Sequence, residues 1–445
     1  MSAVGPASRP VFDAHRPPPR ELLDDCVHCG FCLPACPTYR LWGDEADSPR
    51  GRILLMDAAT RGEVALDSAT VSHWDACLGC MACMPACPSG VRYDRLIERT
   101  RAQVERLAPR TRTERMARQA LFAVLPHRRR VRALGALAVA WHRGGIGTLA
   151  RRSGLLTRIP RLADLDSVSP RLRLRDLRGG APRHTPAATP PRMRVALLEG
   201  CVAGAWFGSV NAAAARVLAA SGAEVVVPMG QGCCGALELH SGREASAVVR
   251  ARRLIEVLER SGADLVAVTS AGCGSAMKEY ADLLDDDPVW RERGERLGAR
   301  VRDISEVLVE LGPPPGLSPL PLRVAYHDAC HLAHAQRIRS QPRALLAWIP
   351  ELEVLEVPDG DLCCGSAGVY NLLQPGPAAD LGRRKAEAVR SSGAAVLAAG
   401  NPGCLVQIAG RLAAGGDPLP ALHPVELLDI SLRGLGVRAV MARLR

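Results

Sequence analysis

Sixteen cysteines fall in an ordered pattern along the 445 residues. Eight lie before residue 90. They read Cys26-x2-Cys29-x2-Cys32-x3-Cys36-Pro37 and Cys77-x2-Cys80-x2-Cys83-x3-Cys87-Pro88. Cysteines two residues apart let one tight loop aim three thiolates at one point, and this run is the spacing that holds [4Fe–4S] clusters. The fourth cysteine is displaced and followed by a helix-breaking proline, so it reaches away from its own loop. Zinc needs only four ligands per site and usually pairs C-x2-C units. A secreted disulfide scaffold would be shorter, and Met1 to Pro19 is Pro-rich without the continuous apolar core of a secretion signal. The pattern suits a reducing compartment and metal chemistry.

The other eight cysteines form an internal repeat. Cys201 maps to Cys330, Cys233-Cys234-Gly235 to Cys363-Cys364-Gly365, and Cys273 to Cys404. In each repeat, short β-branched runs alternate with Ala- and Leu-rich stretches. Glu224–Val227 and Leu265–Val268 read as strands; Asn211–Ala220 and Glu244–Leu258 read as helices. Strands alternating with helices imply a parallel α/β layer, with the cysteines in loops at the strand ends. Four thiolates per repeat suffice for one cubane cluster. A reduced structural thiol cluster, or a redox-active vicinal pair at Cys233/Cys234 and Cys363/Cys364, fits the same residues.

The elements that position the first eight cysteines are helical. Ser48-Pro49 opens a helix through Ile53–Met56 that Gly62 stops, and Tyr93 to Leu107 reads as a second. Gly30 and Gly79 sit inside the motifs, where the missing Cβ would let backbone N–H groups approach the sulfurs. His327, His331 and His334 cluster around Cys330. They could donate to a cluster, ligate it or move protons; the plainer expectation is that they cap local structure. His423 before Pro424 fits a helix N-terminus.

Composition bounds the rest. The 47% hydrophobic and 23% charged content is that of a globular protein. No apolar run reaches the ~18 residues of a membrane span. The net charge is +11, but Arg99 to Arg178 holds 20 arginines against five acids, a net of +15, which leaves the remainder at −4. Only two lysines, Lys278 and Lys385, occur. With 3% aromatics, nucleic-acid binding is not expected. The basic stretch 99–178 reads either as amphipathic helices for anionic lipid or an acidic protein partner, or as helices decorated with arginine by codon bias. Leu121–Leu125 and Ala133–Trp141 supply its apolar face. Gly179 to Pro191 reads as a linker, and Pro313-Pro314-Pro315-Gly316 as a break. The Gly145–Ala150 and Gly434–Ala439 matches to a dinucleotide fingerprint lack the strand it needs. No flavin site is evident.

The first half resembles the α-helical type of two-cluster ferredoxin, in which helices separate the motifs and the fourth cysteine ligates the other cluster. The resemblance implies one cluster on Cys26, Cys29, Cys32 and Cys87, and a second on Cys77, Cys80, Cys83 and Cys36. The repeats resemble the cysteine-rich CCG domain of heterodisulfide reductase-like proteins. That pattern ends in C-x2-C; here the final cysteine is absent twice, in Cys273-Gly274-Ser275-Ala276 and Cys404-Leu405-Val406-Gln407. Metal or further iron–sulfur clusters at Cys201, Cys233, Cys234, Cys273 and at Cys330, Cys363, Cys364, Cys404 follow from this likeness.

The whole arrangement resembles the iron–sulfur subunits of glycolate oxidases (glycolate dehydrogenases). The matching stretches are His327-Asp328-Ala329-Cys330-His331-Leu332, Cys363 to Asn371, Asn401-Pro402-Gly403-Cys404 and His423 to Leu428. The expected fold is α+β multidomain. A flexible N-terminus (1–20) leads to an α-helical ferredoxin domain (21–100), then a basic helical segment and linker (101–192). Two repeated α/β CCG domains follow (193–315 and 321–430). The resemblance implies a non-catalytic electron-transfer subunit, cytoplasmic and peripheral on the inner face of the membrane. FAD would reside only in a partner dehydrogenase subunit oxidising glycolate to glyoxylate, with electrons passing towards quinone. The same relay for lactate or glycerol 3-phosphate, or a heterodisulfide-reductase-like thiol/disulfide enzyme, are the alternatives.

Overall fold

The computed structural model describes residues 11–159 and 172–444, with Asp166 and Ser169 between them. The first ten residues of the expected flexible N-terminus, and part of the basic stretch, lie outside the described residues.

The N-terminal unit is built from short helices around the cysteine loops: Arg20–Asp24, Pro37–Trp42, Pro49–Thr60, Ser68–Asp75 and Tyr93–Leu107. Ser48 caps the third by accepting from the Gly51 N–H at 3.0 Å. Ile53, Met56, Trp74, Leu96 and Ile97 fill the core between these helices and the cysteine loops. Residues 11–20 depart from the flexible segment expected. Phe12 is buried against Trp74, their rings 5.9 Å apart, and Asp13 receives Arg106 at 2.9 Å. Arg16 reaches Glu244 at 2.7 Å. A short polar stretch thus becomes ordered by partners far away in sequence.

Two parallel sheets follow. The first contains β1 (His184–Thr185), β2 (Met193–Leu198), β3 (Ala223–Val226), β4 (Leu265–Val268) and β5 (Val301–Asp303), in the order β1-β3-β2-β4-β5. Only β1 is antiparallel. It comes from the Gly/Pro/Thr-rich stretch expected as a linker. The second sheet has β6 (Leu322–His327), β7 (Leu352–Glu356), β8 (Val396–Ala399) and β9 (Ala421–Leu422), in the all-parallel order β7-β6-β8-β9. The central strands are apolar runs buried on both faces, as parallel sheets require. The first expected strand is shifted one residue, to Ala223–Val226, and its preceding helix starts at Gly208.

The sheets are not independent. Helix Gly208–Ala220 of the first repeat packs on helix Pro424–Leu432 at the end of the second, inside one shared core. Arg216 clamps the pair with two bonds to the Asp429 carboxylate, each 2.7 Å. The ferredoxin unit docks on both repeats. Arg95 meets Asp282 (2.5 Å) and Arg99 meets Asp285 (2.7 Å) on the first; Arg40 meets Asp359 (2.6 Å) on the second.

The basic stretch forms helices Arg112–Val124 and Arg128–Arg143. Part of the apolar face expected at Leu121–Leu125 and Ala133–Trp141 is turned inward: Phe122, Leu125, Ala138 and Val139 are buried. Phe122 and Leu125 pack with Val369, and the Trp206 indole N–H donates to the Val131 carbonyl at 2.9 Å. Two of its arginines are also engaged: Arg118 with Glu105 (2.8 Å) and Ser241 O (2.9 Å), Arg128 with Glu199 and Gly204 O. The segment therefore staples the ferredoxin unit to the repeats. Leu134 and Leu137 remain exposed on its outer side. Among the described residues, no helix is long and apolar enough to cross a membrane.

Candidate iron–sulfur sites

The structure gathers the cysteines into four groups. In the first, Cys26, Cys29, Cys32, Cys83 and Cys87 line one cavity with His28, Arg50 and Tyr93. Cys29 is exposed, and Val27 and Phe31 beside it are two-thirds exposed. The second group, Cys36, Cys77, Cys80 and Cys83, is buried. Cys83 thus borders both.

The two loops follow the same backbone path. The residue before the second cysteine is left-handed in each, His28 (φ 53°) and Gly79 (φ 62°). So is the residue after it, Gly30 (φ 86°) and Met81 (φ 59°). Glycine and a larger residue exchange places between the motifs, so the path is set by the three cysteines and not by glycine alone. At Gly79 the N–H donates to Cys77 Sγ at 3.3 Å, as expected of a glycine that opens the loop to sulfur. At Gly30 a Cβ would lie 2.7 Å from Arg50 Nη1, which donates to the His28 carbonyl at 3.0 Å. Gly30→Val combines that crowding with a β-branched residue in left-handed backbone, so iron retention at the exposed group should fall or its reduction potential should shift. Iron analysis and redox titration of the variant check this; unchanged values would leave Gly30 without the role.

The donor chemistry fits iron–sulfur clusters. Burial pushes the Cys32 thiol up to about 11, with Cys26 and Cys36 adding repulsion. Burial also raises Cys80 and Cys83, reinforced by neighbouring sulfurs. Thiols raised in this way stay protonated until a cation displaces the protons, and several sulfurs gathered at one point suit a polynuclear iron centre. Cys77 differs. Burial alone would raise it, but the Arg52 and Arg101 guanidiniums hold it below its ordinary value. Arg52 is fully buried, donating to Thr38 Oγ1 and Asp47 Oδ1 (both 3.1 Å), with Nη1 3.9 Å from Cys36 Sγ. The Tyr93 hydroxyl donates to Cys77 Sγ at 3.5 Å.

The third and fourth groups lie at the C-terminal ends of the parallel strands. Cys201 and Cys330 follow β2 and β6, and the Cys-Cys pairs follow β3 and β7. Cys273 and Cys404 were expected in loops. Each instead sits in the first turn of a helix, Ala271–Lys278 and Pro402–Ala414, which follows β4 or β8 after two residues. In the first repeat Cys201 and Cys233 sulfurs are 3.5 Å apart, and Gly235 N–H donates to Cys233 Sγ at 3.4 Å. In the second, Cys330 and Cys363 sulfurs are 4.0 Å apart, and Asn401 Nδ2 donates to Cys404 Sγ at 3.4 Å. The glycine after each pair has φ near +85°, and a Cβ at Gly365 would lie 2.7 Å from the Ala378 carbonyl. Close approach to the following helix explains the third letter of Cys-Cys-Gly.

Of the histidines, His334 does cap local structure, with ring contacts to Asp361 O and Arg339 at 3.3 Å. His331 Nδ1 lies 3.5 Å from Cys330 Sγ. His423 caps its helix, Nδ1 accepting from Val425 N–H at 3.2 Å. His327 is different: it ends β6, fully buried, beside Cys364 and Cys404. Arg52, Tyr93 and Lys385 were not anticipated from the sequence. Lys385 is buried near the second repeat's thiols and donates to the Asp359 and Gly360 carbonyls at 2.8 and 3.1 Å. One signal was available for it: a lysine in a chain that otherwise uses arginine.

An eight-thiol helical unit docked on two cysteine-rich α/β repeats defines an electron-transfer iron–sulfur protein. Residues 22–91 match the 4Fe-4S dicluster domain, 195–278 and 324–409 the cysteine-rich domain, and 113–169 the linker region of the glycolate oxidase iron-sulfur subunit. The chain is 37% identical to the probable glycolate oxidase iron-sulfur subunit of Bacillus subtilis, over 94% of both chains. It is 34% identical to the glycolate oxidase iron-sulfur subunit of Escherichia coli, over 87% of this chain and 90% of that one. Lactate utilization protein A of an Exiguobacterium strain is 30% identical, but over 53% of this chain. The chain belongs to the glycolate oxidase iron-sulfur subunit family.

Proposed function

We propose that the chain takes electrons from an FAD-containing partner subunit that oxidises glycolate to glyoxylate, and passes them towards a quinone acceptor at the membrane. Cys26, Cys29, Cys32 and Cys87 hold one [4Fe–4S] cluster. Cys77, Cys80, Cys83 and Cys36 hold the second. Cys201, Cys233, Cys234 and Cys273 hold a further centre, as do Cys330, Cys363, Cys364 and Cys404. Each cluster, when bound, supplies a one-electron step between the two-electron flavin and the acceptor.

The observation that carries this reading is the contiguity of the sulfur groups. The exposed cavity of Cys26, Cys29, Cys32 and Cys87 shares Cys83 with the buried group. Cys80 of that group packs with Cys330 and Cys363 of the second repeat in one apolar cluster with Leu78 and Leu362. The exposed Val27 and Phe31 give a protein partner an apolar rim beside the first group. Leu134 and Leu137 offer an outer face for membrane contact. A thiol/disulfide enzyme is disfavoured by burial: Cys233, Cys234, Cys363 and Cys364 are at most 2% exposed and offer a disulfide substrate no open face. Glycolate is preferred to lactate because its likeness spans nearly the whole chain.

The native complex, purified without oxygen, should develop the EPR signal of reduced clusters when glycolate is added. A signal with dithionite but not glycolate would remove the substrate and leave the electron-transfer role. Lactate and glycerol 3-phosphate would then be tried.

A further inference from the structure

The two repeats share the arrangement of their central strand but not the residue that ends it. β2 and β6 occupy the same place in their sheets, each flanked by two parallel strands. Each ends three residues before the first cysteine of its repeat. The final strand residue is Leu198 in the first repeat and His327 in the second. Leu198 is 2% exposed and packs into an apolar cluster with Val226, Val268 and Cys234. His327 is 1% exposed, and a ring nitrogen lies within 4.8 Å of both Cys364 Sγ and Cys404 Sγ, which are as close to one another.

Neither ring nitrogen of His327 has a hydrogen-bond partner. Burying an unpaired polar atom costs about 1–3 kcal/mol, and apolar Leu198 shows that the fold does not need a polar side chain there. The imidazole faces two sulfurs instead. Neutral imidazole and thiolate are both ligands that iron accepts. The position where the CCG pattern ends in a further thiol is Gln407. Its amide is already used, accepting from Asn371 Nδ2 at 3.1 Å and donating to the Ala378 carbonyl at 3.0 Å. An additional donor for the second repeat is therefore available from the strand and not from that helix.

We infer that His327 is a ligand of the metal centre in the second repeat, alongside Cys364 and Cys404. The two repeats then hold different centres, thiolate-only in the first and mixed thiolate–imidazole in the second. This rests on the reading that the CCG thiols bind metal. The imidazole adds a neutral donor to the four thiolates of the second repeat, so the two centres differ in ligand set and not in ligand charge.

The test uses the full chain carrying 15N-histidine, reconstituted anaerobically with iron and sulfide, and pulsed EPR of the reduced protein. The expected result is a strongly coupled nitrogen that changes isotope with the label and is lost in His327→Leu, which copies the first repeat. Iron should fall in His327→Leu while the roughly eight Fe of the ferredoxin groups remain as the sign of a folded chain. His327→Cys should restore the iron without the nitrogen coupling. Additional iron that is lost in Cys364→Ser but unchanged in His327→Leu, with no coupled nitrogen, would overturn the ligand and leave the metal site standing. Wild-type protein with no iron beyond the ferredoxin groups would remove both.

Discussion

Cys36→Ala is expected to destroy the buried cluster, and Cys87→Ala the exposed one, although each residue is nearest in sequence to the other group. Cys36 is 6% exposed, and its sulfur lies 3.9 Å from the same Arg52 guanidinium that lowers Cys77. Cys87 lines the open cavity with Cys26, Cys29 and Cys32. Each variant should lose about four Fe. Substrate-dependent electron transfer should fall by at least about 100-fold in both, because a first-sphere ligand matters more than the outer-sphere partners whose loss already costs 10–100-fold. The surviving signal separates them. In Cys87→Ala it should be insensitive to solvent exchange into D2O, since its four sulfurs are buried. In Cys36→Ala it should show exchangeable deuterons from the exposed loop around Cys29. The opposite assignment of the two signals would mean that each motif fills its own cluster.

What the sequence made legible was local. The cysteine spacings mark the four sulfur groups, and helix Tyr93–Leu107 and strand Leu265–Val268 have the expected ends, because hydrophobic periodicity acts within a few residues. What escaped reading depends on contacts across the chain. Arg118 and Arg128 look like surface charge until Ser241 and Glu199 appear beside them. Residues 11–20 look like a tail until Trp74, Glu244 and Gln103 hold them. His327 was placed among capping histidines because sequence cannot distinguish a strand end that points to solvent from one aimed at two sulfurs. The displaced position of Cys273 and Cys404 has a similar cause. Only two residues separate each strand from its helix, so the cysteine already falls in the helix's first turn.

Arg52 provides the sharpest case, since its neighbours in the sequence suggest an ordinary helical arginine. It is 1% exposed, its Nε donates to the His73 carbonyl at 2.5 Å, and its charge is shared between Asp47 and the sulfurs of Cys36 and Cys77. Arg52→Leu leaves buried Asp47 and two thiolates without that cation. Breaking such a buried arrangement costs about 3–5 kcal/mol. The ferredoxin unit should therefore release its cluster absorbance at lower denaturant than wild type. The reduction potential supplies an independent readout. Reduction adds one negative charge, which a nearby guanidinium stabilises, so removing it makes reduction harder. The buried cluster should shift to a more negative potential, on the order of 60 mV for each tenfold loss in the one-electron equilibrium. Arg52→Lys separates the two effects. It keeps the charge, and with it most of the potential, but a single ammonium cannot serve Thr38, Asp47 and His73 together as the planar fork does. A lysine variant as unstable as the leucine one, yet with wild-type potential, would identify geometry as the stabilising factor and charge as the tuning factor. A potential unchanged in both variants would show that Arg52 holds the fold together without tuning the cluster.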